Sequence, residues 1–186
     1  MIAAGMELIS AGKACAYAEQ VMAYKEEMIA NGDILHGCAG LEDVQSFSEW
    51  IEFDGRLRAK FGAEYSPSEV FLAVRKDDDR LIGMMDYRHP LSEKLLRYGG
   101  SIGYSVRPSE RRKGFATEML RLLLPICRAA GETRVLITCA KDNVASRKVI
   151  EANGGRLENE VEDAIGISHS GIIQRFWIEL ENSRRF

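Results

Sequence analysis

This chain lacks most of the features that would place it in a special class. Its 186 residues hold four cysteines, Cys15, Cys38, Cys127 and Cys139, with no C-x-x-C pair and no grouping with the three histidines, so zinc is not indicated. Cys127 and Cys139 fall in apolar helix and strand patterns, where a free thiol behaves as a small hydrophobe. Net positive charge is also missing. Lys and Arg total 25 against 28 Asp and Glu, a formal charge of −3, which excludes broad attraction to nucleic acid or an anionic membrane. The start, Met1-Ile2-Ala3-Ala4-Gly5, has no charged head, and no segment approaches the roughly 20 apolar residues of a membrane span. A reducing cytoplasm is the expected home. What is present is ordinary: 46% apolar and 28% charged residues, which argues against disorder and fibrous repeats. A chain of this length suits a single domain over 1–186 and can bury roughly 70% of its unfolded surface. No linker or internal repeat interrupts it.

The periodicities alternate between helix and strand. Met6 to Ser10 reads as a short strand, and Ala14, Tyr17, Ala18, Val21, Tyr24, Lys25, Met28 and Ile29 follow helical spacing up to Asn31-Gly32. A glycine-bearing loop from Ile34 to Gly40 contains His36 and leads to a second helical stretch, with Val44, Phe47, Ile51 and Phe61 on an apolar side around Trp50. Val70 to Val74 and Leu81 to Tyr87, joined by the polar run Lys76 to Arg80, predict an antiparallel hairpin. Leu95 to Tyr98 is a short segment without a clear pattern, and Ser101 to Val106 is a strand. From Gly114 the apolar positions Ala116, Leu120, Leu123, Cys127 and Ala130 mark a helix closing at Gly131. Arg134 to Cys139 is a strand, and the strand, helix, strand order predicts a parallel pair with a right-handed crossover. Lys141-Asp142-Asn143 opens another helix that ends at Asn153-Gly154-Gly155. Arg156 to Val161 and Ile172 to Leu180 are two last strands around a polar loop carrying His169.

The run Arg111-Arg112-Lys113-Gly114-Phe115-Ala116 sits where a strand turns through glycine into a helix. Such a turn leaves several backbone N–H groups unpaired and pointing the same way, and the helix dipole adds positive potential, so it reads as a pyrophosphate cradle. Gly114 permits positive φ and close approach, while Ala116 has little side chain to push phosphate away. A second signal, Asn143-Val144-Ala145-Ser146, stands at the next strand-to-helix turn, where a second wall of the same cleft is expected.

With both signals present, the chain resembles the GCN5-related N-acetyltransferase (GNAT) family. The pattern Gln/Arg-x-x-Gly-x-Gly/Ala is matched by Arg111, Gly114 and Ala116, and the later Asn-x-x-Ala/Ser turn by Asn143 and Ser146, with Gly154-Gly155 closing the helix. The likeness is clearest over 70–180. It implies an α/β domain with a mixed, splayed sheet flanked by helices, and acetyl-CoA as acyl donor with no metal. It also implies that N–H groups from Arg112, Lys113, Gly114, Phe115, Ala116 and Thr117, beside Arg111, hold the pyrophosphate. Tyr104, Ser105 and Val106 then pair with the pantetheine arm as backbone adding to an open edge, and Asn143 and Ser146 reach that arm from the next helix.

The implied reaction is direct transfer of acetyl to a primary amine of a small molecule or peptide. A lysine-like amine with pKa about 10.4 is neutral on the order of once in 10³ molecules at pH 7, so a base must take its proton. Asp86, ending an apolar strand expected to neighbour Ile102 to Val106, is the first candidate, and Arg88 is its alternative structural partner; His36 and His89 are weaker candidates. Many relatives carry a tyrosine seven residues after the asparagine, placed to protonate the thiolate. Here that position is Ile150, which leaves Tyr104 as a substitute acid or the thiolate leaving unaided. Glu158, Glu160, Glu162 and Asp163 suggest a cationic acceptor, or simply a solvated edge. A non-catalytic acyl-CoA sensor is the alternative function, and homodimerisation is left open. A doubly wound nucleotide-binding module would need an acidic residue near the end of Arg134–Ala140, and none is there.

Overall fold

A computed structural model describes residues 5–58, 62, 66–164, 166 and 168–180. The first strand, β1 (Met6–Ser10), is followed by α1 (Ala18–Ala30) and α2 (Phe47–Leu57). Then come β2 (Ser68–Arg75), β3 (Arg80–Arg88), a single wide helical turn over Leu95–Gly99, and β4 (Ile102–Val106). The chain ends in α3 (Phe115–Ala129), β5 (Arg134–Ala140), α4 (Val144–Ala152), β6 (Arg156–Glu162) and β7 (Ile172–Glu179). The expected elements are all there, apart from Leu95–Gly99, which had no clear pattern; Phe61 lies outside the described residues.

The strands form two antiparallel sheets, ordered β1-β2-β3-β4 and β5-β7-β6. The hairpin β2–β3 pairs Val70 with Asp86 and Leu72 with Met84, and β3–β4 pairs Met85 with Tyr104. One expectation is corrected here. β4 and β5 form no parallel ladder, and among the described residues the backbones of the two sheets join at their near ends, through the Gly100–Ile137 bridge and the Ser101 N–H donating to Leu136 C=O at 2.6 Å. Beyond that point the two strands diverge, because the backbone leaves register at Gly100 (φ +70°), where a Cβ would lie 2.6 Å from the Leu136 oxygen.

The first sheet carries a core on each face, as alternating side chains require. Met85, Ile102 and Val106 point to the side where α3 lays down Phe115, Met119, Leu120, Leu123 and Cys127. At about 1.5–3 kcal/mol per large apolar side chain, that one helix face contributes on the order of 10 kcal/mol before entropy is counted. The opposite face packs Val70, Leu72, Val74 and Met84 against Val21, Tyr24, Met28 and Trp50 of α1 and α2.

Candidate active site

The divergence of β4 from β5 leaves a wedge, and the register of β4 decides which backbone groups line it. Arg88 N–H donates to Ser101 C=O at 2.8 Å and Arg107 N–H to Ile82 C=O at 3.0 Å, so the odd-numbered residues of this stretch pair with β3. Antiparallel pairing alternates. Tyr104 and Val106 therefore turn their N–H groups, and Tyr104 its C=O, towards the open side. Ser105, expected as a pantetheine contact, spends its backbone on β3 instead.

At the wide end of the wedge stands the turn into α3. Gly114 is the N-cap, with φ +84°, and Arg112 also has positive φ at +62°. Among the described residues no carbonyl or side chain accepts from the N–H groups of Arg112, Lys113 or Gly114, and those of Phe115, Ala116 and Thr117 are the open first-turn donors of the helix. A Cβ on Gly114 would meet nothing within 4 Å, so the concavity over this turn is open. The three cations beside it are not equivalent. Arg111 forks onto Asp33 at 2.7 and 3.1 Å and donates through Nε to Val106 C=O at 2.9 Å, tying the end of β4 to the segment after α1. Lys113 donates to Glu110 at 2.9 Å and to the Ser109 carbonyl at 3.0 Å. Arg112 is exposed and forms no ion pair among the described residues. The donor set therefore suits a diphosphate: a row of backbone N–H groups, a helix N-terminus and an unpaired guanidinium.

The second wall comes from α4. Asn143 caps it, accepting from Ser146 N–H at 3.0 Å, and Asn153 Nδ2 donates to Thr117 C=O at 3.2 Å, fixing α4 against the start of α3. Tyr104 reaches across from β4 so that its hydroxyl lies 2.8 Å from Ser146 Oγ. Burial raises its pKa, the Ser146 hydrogen bond opposes this, and nearby Cys139 adds to the rise, so the phenol is protonated at neutral pH. Ile150 is fully buried in the α3-side core and brings no hydroxyl to the wedge.

On the other face of β4 lies the loop with His36. Gly37 (φ +77°) rests directly on the sheet: a Cβ there would stand 2.6 Å from Gly103 O and 2.9 Å from Met85 Cα. Behind it, Trp50 Nε1 donates to Cys38 C=O at 2.8 Å. His36 is an exposed residue, yet partial burial among protein atoms lowers its pKa, the Arg88 cation lowers it further, and Asp86 opposes both. His36 is therefore neutral at neutral pH. Asp86, the first sequence candidate for base, is 4% exposed and saturated. Its oxygens accept from Arg88 Nε at 2.7 Å, Arg88 Nη2 at 2.9 Å, Gly103 N–H at 2.9 Å and Ser68 Oγ at 3.3 Å. A carboxylate with both oxygens filled by a guanidinium and two further donors has no lone pair turned to an incoming amine.

The remaining candidates lie elsewhere. His89 pairs with Glu132 and stacks on Tyr87, on the α3 side. The acidic residues sit on or just after β6, which β7 separates from the wedge. There Glu158 faces Arg175, Glu160 faces Lys141, and Asp163 accepts from Gly166 and Ser168 N–H. Cys139 on β5 lies beside the wedge and Cys38 beneath the His36 loop, and burial raises their thiols to about 11 and about 12, so they stay protonated. No group of His, Cys, Asp and Glu among the described residues could hold a metal ion. No helix among them is long and apolar enough to cross a membrane.

A model of the acetyltransferase (GNAT) domain matches residues 41–156. The chain belongs to the GNAT acetyltransferase family. Among solved structures, this acetyltransferase has the fold of a putative acetyltransferase, yncA, from Salmonella typhimurium with acetyl-CoA (TM-score 0.63, 14% identity, 98% of this chain and 96% of that one). It is similar in the same way to the Salmonella typhimurium enzyme that modifies the N-terminal serine of ribosomal protein L7/L12 (TM-score 0.64, 18% identity, 95% of each chain). A dodecameric spermidine N-acetyltransferase from Vibrio cholerae gives TM-score 0.62 at 17% identity over 94% of each chain. At these identities the likeness speaks to the fold. None of the curated proteins compared matches the sequence. Family membership makes acetyl-CoA the acyl donor, and the wedge with its cradle is the part of this acetyltransferase whose donors fit it.

Proposed function

We propose that this acetyltransferase moves the acetyl group of acetyl-CoA directly to a primary amine, with His36 as base and Tyr104 as acid. The observation that carries the reading is the row of N–H groups from Arg112 to Thr117, which meet no acceptor among the described residues, opening onto the outward-facing backbone of Tyr104 and the Val106 N–H. The diphosphate rests on the row, with Arg112 as its cation, and the pantetheine amides pair with Tyr104 and Val106. Asn143 and Ser146 face that arm from α4. Acetyl-CoA supplies an acetyl thioester, whose carbonyl an open backbone N–H of β4 polarises.

His36 enters because it is neutral, solvent-accessible and held by Ser105 just before Gly37, which rests on Gly103. It takes the amine proton, and Asp86 acts on it only through charge. Tyr104 gives its proton to the departing sulfur and recovers one through Ser146. The buried thiols of Cys38 and Cys139, both raised and protonated at neutral pH, support direct transfer.

Thiol release from acetyl-CoA, assayed with spermidine, free amino acids, aminoglycosides and a peptide beginning with serine, tests the reading. Turnover with one of them, lost in His36→Gln and in Tyr104→Phe while acetyl-CoA still binds, supports it; turnover unaffected by either variant removes the assigned roles. The buried Ile150 favours a second reading, a non-catalytic acyl-CoA sensor. That reading requires acetyl-CoA binding with no thiol release above the solution rate for any amine.

A further inference from the structure

The least explained cluster in the molecule is the set of hydroxyl and thiol groups beneath the His36 loop. Ser105 lies on β4 with its side chain turned away from α3, as the alternation of the strand requires. Its Oγ donates to the His36 carbonyl at 2.5 Å, accepts from the Tyr24 hydroxyl at 2.8 Å, and lies 3.6 Å from Cys38 Sγ. Tyr24 is fully buried on α1 and Cys38 is 1% exposed, so two of the three partners cannot move without opening the core. A hydroxyl has one proton to give, and the Tyr24 proton points at Ser105. That leaves the Ser105 proton for His36.

This arrangement does more than fill space. The loop carbonyl held by Ser105 belongs to the same residue as the imidazole, one residue before Gly37, whose backbone is pressed against Gly103 and Met85. The contact therefore sets where the imidazole stands relative to the open edge of β4, where the reacting carbonyl is expected. We propose that Ser105, gripped by Tyr24, is a positioning residue that fixes His36 over the wedge. The proposal deepens the reading of His36 as base, and it also accounts for a serine whose backbone faces β3 and not the wedge.

The test reads the imidazole itself and needs no acceptor. The chain has three histidines, and His36→Gln identifies the His36 ring signal in a proton–carbon NMR spectrum. In the wild type that signal titrates below 6.5, because crowding and Arg88 disfavour the cation. Ser105→Ala frees the loop, so the midpoint rises towards the solvent value and the signal broadens. Ser105→Thr, which keeps the hydroxyl, restores the wild-type midpoint, and acetyl-CoA affinity by calorimetry stays within about twofold across the series. If Ser105→Ala does not fold, Tyr24→Phe keeps the buried ring and carries the test, with a smaller rise in the same direction. An unchanged His36 midpoint and line width in the folded variant overturns the proposal. Because the titration is independent of turnover, a failure of His36 as base in the amine assay and a failure of Ser105 to position it are separate results.

Discussion

Replacing Gly114 by alanine perturbs two things that can be measured apart. The first is the fold: Gly114 sits at φ +84°, where an L-residue costs about 1–2 kcal/mol, yet its new methyl would meet no atom within 4 Å. For a chain of this size 1 kcal/mol corresponds to roughly 2–4 °C, so the ligand-free melting temperature falls by about 2–8 °C. The second is the cradle, because the methyl enters the open concavity over the N–H row. Each charge-assisted N–H contact to phosphate is worth about 1.5–3 kcal/mol, so losing one weakens acetyl-CoA about 10- to 100-fold. At a concentration 100 times the wild-type Kd, ligand stabilises the wild type by about 2.7 kcal/mol, a rise of about 5–11 °C. In Gly114→Ala the same concentration gives only about 0.4–1.4 kcal/mol. Gly154→Ala is the control, since Gly154 has φ +86° and equally open surroundings but lies at the far end of α4. It should lower the ligand-free melting temperature by a similar amount and keep the full ligand-induced rise. Differential scanning fluorimetry reads both quantities, and equal ligand-induced rises in the two variants would refute the placement of the diphosphate.

The other expectations concern the chemistry and the frame behind the cradle. With a saturating amine acceptor, kcat rises with pH through a midpoint below 6.5 as His36 loses its proton, and His36→Gln abolishes that limb; a limb that persists in the variant assigns it to another group. Tyr104→Phe lowers kcat by about 10²-fold or more with acetyl-CoA affinity nearly intact, and pre-steady-state thiol release locates the loss at the leaving step. Glu110, 4% exposed, holds Arg75, Arg80 and Lys113 together behind the cradle. Burial raises its pKa, but the Lys113 hydrogen bond and the three cations outweigh this and keep it below 4.5. Its folded pKa being lowered, its contribution is present above pH 4.5 and lost as pH falls through the folded value. Glu110→Gln therefore costs about 2 kcal/mol near pH 7, low for a broken buried pair because Arg80 and Lys113 are 41% and 52% exposed, and the difference from wild type narrows in acid, as urea melts at several pH values will show.

What could be read along the chain and what could not divide by sequence distance. The Gly114 turn, the Asn143 cap and the β2–β3 hairpin are local, each specified within a few residues by φ preference, capping or alternation, and each appears where the pattern placed it. The roles of Asp86, Arg111 and Ser105 depend on partners far away. Arg111 finds Asp33 across 78 positions and Ser105 finds His36 across 69. Nothing near Asp86 shows that Gly103 and Ser68 will fill its oxygens. The parallel pair expected from the strand, helix, strand order is absent for a related reason. That rule assumes neighbouring strands continue one sheet, whereas Gly100 ends the shared edge after a single bridge and so opens the wedge.

The most direct test of the central claim is an amide proton–nitrogen NMR titration of the protein with acetyl-CoA. The account predicts large shifts at Arg112, Lys113, Gly114, Phe115, Ala116 and Thr117, and at Tyr104 and Val106 along β4, with Ser105 moving far less because its N–H is already paired to β3. Shifts that leave the Gly114 turn unmoved, or that fall on Ser105 in place of Tyr104 and Val106, would contradict it.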